Sequence, residues 1–239
     1  MSTMLNTKTP MEPQNTMENA KSALLAAALP HVPFDGWSQT TFDAAVSDSG
    51  IKRELALALF ARGGLDMALA FHGAGDRTMS DAFFRENLAG LRYRDKVALA
   101  VRLRLHASRD KELVRRATVI LALPQHAPEG ARALWGTADA IWQALGDQSD
   151  DINWYTKRLT LSAVYGATVM FWLGDTSEDH ANTRAFLDRR LDNVMNIEKA
   201  KASLRENNLA AALLSGPLRF LGKISKPQPR NDLPGQTKV

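Results

Sequence analysis

Cysteine is absent from all 239 residues. Disulfides, thiolate metal ligands and thiol nucleophiles are therefore excluded, which fits a reducing cytosol. Strand signals are nearly absent too, because no hairpin dipeptide separates alternating apolar runs. No apolar run reaches the ~20 residues that span a bilayer. The best candidate, Leu159 to Gly174, is too short and is flanked by Lys157, Arg158 and Asp175. The first twenty residues carry Pro10, Pro13, Glu12 and Glu18 and no arginine. They resemble neither a secretory signal nor an Arg-rich transit peptide, and read as a disordered tail.

Catalytic signatures are missing as well. The five histidines, His31, His72, His106, His126 and His180, include no pair at i, i+3 or i+4 and no Glu-x-x-His element. A di-iron carboxylate site is thus unsupported, and so is a zinc motif. No phosphate-binding glycine loop and no nucleophile elbow occur. Glu178-Asp179-His180 reads as the charged first turn of a helix, favoured by the positive dipole end. The expectation is a protein that is not an enzyme, with no catalytic residue and no metal.

What the chain does have is helical periodicity. Hydrophobic residues make up 45%, ordinary for a globular core. Leu24, Leu25, Ala28 and Leu29 predict a first helix. His31 to Ser38 is an aromatic-rich turn stopped by Pro33 and Gly36. Thr41–Ser49 and Ile51–Phe60 predict two short helices about Gly50, which suits a left-handed helix end. Further helices are predicted near Gly64–His72, Ser80–Leu91, Arg94–Ser108 and Glu112–Leu123. Leu134, Trp135, Ala138, Ile141, Trp142 and Leu145 give an amphipathic helix over Pro128–Leu145. Asn153–Leu173 predicts the next, and Asp175 with Glu178 a capping-box opening of a long helix to about Glu206. The fold class is all-α, with roughly nine or ten helices. The expected divisions are a tail at 1–20, a module at 21–62, a helical domain at 63–208, a helix at 209–226 and a disordered tail at 227–239.

Leu24 to Phe60 resembles the N-terminal helix-turn-helix of TetR-type repressors, with Thr41, Ala45, Val46, Gly50, Ile51 and Phe60 at the positions that matter. A DNA reader must meet phosphates with Lys or Arg. Lys21 to Arg62 instead holds Lys21, Lys52, Arg53 and Arg62 against Asp35, Asp43, Asp48 and Glu54. The third helix, Glu54 to Phe60, offers an acid and apolar residues. The module is expected to survive as structure, with its third helix drawn into packing and no nucleic acid bound.

Three runs point to a family: Val32-Pro33-Phe34-Asp35-Gly36-Trp37, Asp151-Ile152-Asn153-Trp154-Tyr155-Thr156-Lys157-Arg158 and Phe186-Leu187-Asp188-Arg189-Arg190. Together they resemble the lipid-binding accessory proteins of coenzyme Q (ubiquinone) biosynthesis, the ninth of the numbered Coq proteins, over most of Ala20 to Arg205. That resemblance implies a TetR-like fold and a homodimer. It implies a hydrophobic cavity for an isoprenoid lipid, holding a bound isoprenoid quinone or phospholipid and no other cofactor. It also implies presentation of a demethoxyubiquinone-type intermediate to the demethoxyubiquinone hydroxylase. The location implied is cytoplasmic, peripheral on the inner membrane of a bacterium. The alternative from another class is a TetR-type ligand-responsive repressor.

Carried over residue by residue, Asp151, Trp154, Tyr155 and Arg158 match the family's surface patch for the hydroxylase. Trp154 and Tyr155 project ~100° apart on a helix, so both do not face one core. Leu159–Gly174 is apolar or small on every side, and such a helix is expected to be buried. Candidate cavity-lining residues are Leu134, Trp135, Ile141, Trp142, Tyr165, Met170 and Phe171.

The formal charge of +4 resides entirely beyond Gly216, where Arg219, Lys223, Lys226, Arg230 and Lys238 face only Asp232. Ser215-Gly216 breaks the chain and Pro217 suits a helix start. Pro217, Leu218, Phe220, Leu221 and Ile224 then fill an arc of about 160°. Arg219, Lys223 and Lys226 take the opposite side, the pattern of a helix lying in a membrane interface. Removal of the residues after Ser215 is expected to abolish binding to anionic liposomes in a sedimentation assay while helical content persists. Undiminished sedimentation of the truncated protein would place the membrane contact elsewhere.

Overall fold

The structure, a computed structural model, describes residues 13–108, 110–206 and Pro227. The expected membrane-surface helix at 209–226 lies outside the described residues. Within them the chain forms ten α-helices and two 3-10 turns, with no strand. The helices are α1 (Pro13–Ala28), α2 (Val32–Asp35), α3 (Gln39–Ser49), α4 (Arg53–Leu59) and α5 (Gly64–Arg85). They continue with α6 (Tyr93–Ala107), α7 (Lys111–Leu121), α8 (Ala127–Ala144), α9 (Ile152–Gly174) and α10 (Ala181–Glu206). Among the described residues no single helix is long and apolar enough to cross a membrane. The stretches predicted near Gly64–His72 and Ser80–Leu91 prove largely to be one helix, α5. Gly73 and Gly75 tax that helix by roughly 1 kcal/mol each relative to Ala but do not stop it, since no proline intervenes.

The chain separates into two compact units that interleave in sequence, residues 1–77 with 107–133 and residues 78–106 with 134–239. A single cut after residue 62 does not describe this division, because α7 supplies core residues to the N-terminal helices. In the first unit Leu24, Ala28, Val32, Phe42, Ala45, Ala56, Phe60, Met67, Ala68, Leu113 and Ala117 bury themselves around Trp37. The Trp37 Nε1–H donates to the Leu113 carbonyl at 3.2 Å, and its ring tilts against Phe71 at 5.3 Å. Gly64 makes this possible, since a Cβ there would stand 2.5 Å from the Trp37 backbone. Arg116 donates to the Pro33 carbonyl at 2.8 Å. The Ser38 hydroxyl caps α3 by accepting from Thr41 N at 3.2 Å. The turn read as a helix stop is therefore the plug of this core.

α3 and α4 meet at Gly50, which takes φ 65° and ψ 11° as its place in the helix-turn-helix requires. The third helix of that module, α4, is drawn into packing along one side, as expected. Ala56 and its C-cap Phe60 are buried in the core and Leu59 packs against it, while Leu55 and Leu57 on the other side remain exposed.

In the second unit α9 and α10 pack together, with Phe171 stacked on Phe186 at 4.5 Å. The loop between them is organised by Asp175, not by a capping box. Its carboxylate accepts from Ser177 N and Oγ at 2.9 and 2.6 Å and from Thr183 N and Oγ1 at 2.9 and 2.5 Å. Glu178 instead enters a 3-10 turn, and α10 begins at Ala181. The hydrogen bonds from Ser177, then those from Thr183, hold the Asp175 carboxyl far below its ordinary 3.8. The stabilisation this carries is complete above that ordinary value and fades as pH falls through the depressed one. Asp175→Asn is expected to melt below wild type at neutral pH. In thermal melts taken at decreasing pH, the gap should narrow only below about pH 3.8.

Candidate functional site

The run from Asp151 to Arg158 occupies the junction where α8 ends and α9 begins. Asp151 is the N-cap of α9, its carboxylate accepting from Asn153 N at 2.9 Å and from Asn153 Nδ2 at 2.8 Å. One turn on, Trp154 and Tyr155 pack edge to face at 4.8 Å. Both lean on Trp135 of α8, with ring centroids at 5.7 and 6.3 Å. All three rings are half-buried, so each keeps a face to solvent.

Arg158 is not on the surface, contrary to expectation. It is 2% exposed. Its Nε donates to Asp139 at 2.6 Å, and its Nη1 donates to Asp147 at 3.2 Å and to the Trp154 carbonyl at 3.1 Å. The guanidinium also lies 4.0 Å from the Trp154 ring centroid, within cation–π range. Lys157 completes the cluster. Its ammonium donates to Asp147 at 2.7 Å and to Ser149 at 2.6 Å and sits 5.3 Å from the Trp142 ring. Burial alone would raise the Asp147 carboxyl. The hydrogen bonds from Lys157, Ser149 and Arg158 outweigh it and hold that carboxyl below its ordinary value. A buried carboxylate of this kind is tolerated because it is paired.

A cavity of about 300 Å³ opens beside this cluster. Tyr93, Arg94 and Val97 of α6 line one side and Trp142 of α8 another. α9 contributes Asn153, Thr156, Lys157, Thr160, Leu161 and Val164, and α10 contributes Leu191, Val194 and Met195. The lining is predominantly apolar, with the polar groups gathered near the start of α9. Burial first, and Asp147 second, push the Tyr93 phenol up, so it stays neutral. Arg94 is held by α10, with Nε 2.7 Å from Asp192 and Nη1 3.1 Å from Asp188.

Of the seven candidate lining residues, Trp142 lines this cavity. Ile141 and Tyr165 are buried and away from it, and Leu134 and Trp135 are half-buried. Met170 and Phe171 lie at the surface, 61% and 38% exposed. The expectation of a helix buried on all sides is corrected accordingly. Leu159, Ala163, Ala167 and Met170 form an exposed stripe on α9, because no described element of this unit covers that side. The lining residues Val97, Leu161, Val164 and Leu191 were missed. Their spacing matches any core position, and only the tertiary arrangement leaves a void between them. Asp139 and Asp147 were missed too, since nothing local in α8 or in the loop after it marks a carboxylate that pairs nineteen or eleven residues onward.

This fold is that of the TetR-type regulators. A TetR transcriptional regulator from Nitrosomonas europaea superposes with a TM-score of 0.60 and 16% identity, over 73% of this chain and 97% of that one. Within that fold class, the model of the COQ9 family matches residues 127–198, the stretch holding the Arg158 cluster and most of the cavity wall. The chain is 38% identical over 133 residues to the probable ubiquinone biosynthesis protein coq9, mitochondrial, of Dictyostelium discoideum, covering 54% of this chain and 43% of that protein. It is 29% identical over 206 residues to the rat mitochondrial ubiquinone biosynthesis protein COQ9, covering 78% and 62%. The human protein of that name is 28% identical, covering 78% and 61%. The chain is thus similar to the COQ9 proteins and spans less than two thirds of the length of these proteins. Their names place them in mitochondria, which overturns the expected cytoplasmic location on a bacterial inner membrane.

The buried position of Arg158 changes what its substitution does. Removing one partner of a buried pair leaves the other charge uncompensated and costs about 3–5 kcal/mol. Arg158→Met is expected to lose stability on that scale in denaturant unfolding, and Arg158→Glu more, because it sets a third carboxylate beside Asp139 and Asp147. Trp154→Ala should unfold much closer to wild type. Equal stability of wild type and Arg158→Met would contradict the network.

Proposed function

We propose that this protein is a lipid-binding accessory protein of ubiquinone biosynthesis. The cavity between α6, α8, α9 and α10 takes part of a prenyl-tailed quinone intermediate of the demethoxyubiquinone type. The protein presents that intermediate to the membrane hydroxylase, which performs the chemistry. The observation that carries this is the apolar cavity of about 300 Å³, placed largely in the stretch that matches the COQ9 family. At roughly 30 Å³ per water-sized group, such a space holds about ten heavy atoms. That is a quinone ring or about two prenyl units, so the remainder of a long tail lies outside.

The half-buried rings of Trp135, Trp154 and Tyr155 give the hydroxylase an aromatic face of the composition that anchors protein interfaces. Asp151 and Arg158 serve that face from behind, one as a helix cap and the other as the buried support of Trp154. The bare α9 stripe offers a second copy of the chain apolar surface to cover, in keeping with a homodimer. The basic amphipathic segment after Gly216 would bring the protein to the bilayer in which the lipid resides.

Mass spectrometry of organic extracts from the purified protein tests the cavity. A prenyl lipid is expected in wild type and is expected to be depleted in Val164→Trp, which fills the space from α9. Extracts free of prenyl lipid, or an equal load in the filled variant, would remove this function. The same preparations report on the aromatic face, where Trp154→Ala is expected to capture the hydroxylase poorly while remaining folded.

A further inference from the structure

The cavity rim carries two cations, and each is engaged by carboxylates. Lys157 spends its donors on Asp147 and Ser149 and turns toward the Trp142 ring. Arg94, 18% exposed, is held more elaborately. Its Nε donates to Asp192, its Nη1 to Asp188 and Asp95, and its Nη2 to the Asp188 carbonyl at 2.9 Å. Asp188 and Asp192 stand one turn apart on α10, the spacing that places two side chains on one face. They reach across to the first turn of α6, where Arg94 lies. Without them, a guanidinium and a helix N-terminus would share that rim, and both favour anions.

We propose that Asp188 and Asp192 are specificity-determining residues that mask Arg94 and so make the cavity select neutral lipids over anionic ones. A carboxylate or phosphate bound at the rim would need the donors that these two aspartates occupy. It would also add negative charge beside Asp95, Asp188 and Asp192. A neutral ligand displaces no ion pair and meets the uncharged Tyr93, Asn153, Thr156 and Thr160 and the apolar wall. A protein that samples a bilayer meets anionic amphiphiles in excess over a prenyl quinone. Masking Arg94 keeps the cavity open for the scarcer neutral lipid. This inference rests on the lipid-binding function proposed above.

The test compares two ligands that differ only at one end, 1-dodecanol and dodecanoate, titrated calorimetrically at pH 7.5 into the full chain. Wild type is expected to prefer dodecanol by about tenfold or more, the scale of one charge-assisted hydrogen bond. Asp188→Asn/Asp192→Asn should cut that preference by about tenfold, chiefly through tighter dodecanoate binding. Adding Arg94→Gln to the double variant should restore the preference for the alcohol, assigning the gain to the freed guanidinium. If the double variant proves unfolded by circular dichroism, Asp192→Asn alone carries the test, because Asp192 makes the shortest bond to Arg94. A wild type without preference, or a folded variant with the wild-type preference, overturns the masking role and leaves the lipid-binding function standing. A wild type that binds neither ligand overturns the cavity as a binding site, and the masking role with it.

Discussion

The second unit depends on one buried guanidinium. Arg158 joins Asp139 in α8, Asp147 in the connecting loop and the Trp154 carbonyl in its own helix. A single planar group with fixed donors can hold three segments in register only because each acceptor is placed by a different backbone element. Everything functional in this unit is downstream of that register. Asp147 in turn fixes Lys157, which sits over Trp142 at the cavity wall. On the other side, the guanidinium backs the Trp154 ring and so sets the aromatic face. The wall and the face are two sides of one electrostatic joint, and the matched family stretch covers both.

Much of this was legible in the sequence. Periodicity located most helices within a few residues, and the lack of any strand signal settled the class. Asp151 to Arg158 stood out as a run, and it holds the cap of α9 and the buried Arg158. Its roles were only half visible, because a lone arginine in a sequence gives no sign of whether carboxylates at 139 and 147 fold back to meet it. Leu159–Gly174 misled for a related reason. Composition says what a helix would tolerate around it, whereas burial depends on which neighbours exist. The Asp175 loop was misread because Glu178 three residues on fitted a common capping pattern. The true partner, Thr183, is eight residues away and donates through both its backbone and its hydroxyl.

The first unit keeps the geometry of a helix-turn-helix. Its turn at Gly50 and its cap at Ser38 follow the rules of a helix-turn-helix, yet the exposed side of α4 carries Glu54, Leu55 and Leu57. Arg53, which could have reached a phosphate, pairs with Asp43 at 2.9 Å. Likeness to a transcriptional regulator at 16% identity therefore speaks of the fold. The candidate cavity lies in the other unit.

Trp37 carries a consequence for how this chain is made. Its indole N–H finds its acceptor at Leu113, 76 residues later, and its backbone needs Gly64 against it. During synthesis, which runs from the N-terminus, the first four helices emerge with Trp37 well before Leu113 does. Loop-closure entropy must then be met before the tryptophan is covered. The N-terminal module, though it looks self-sufficient in sequence, is a nascent chain that waits for α7 to leave the ribosome before its core can close.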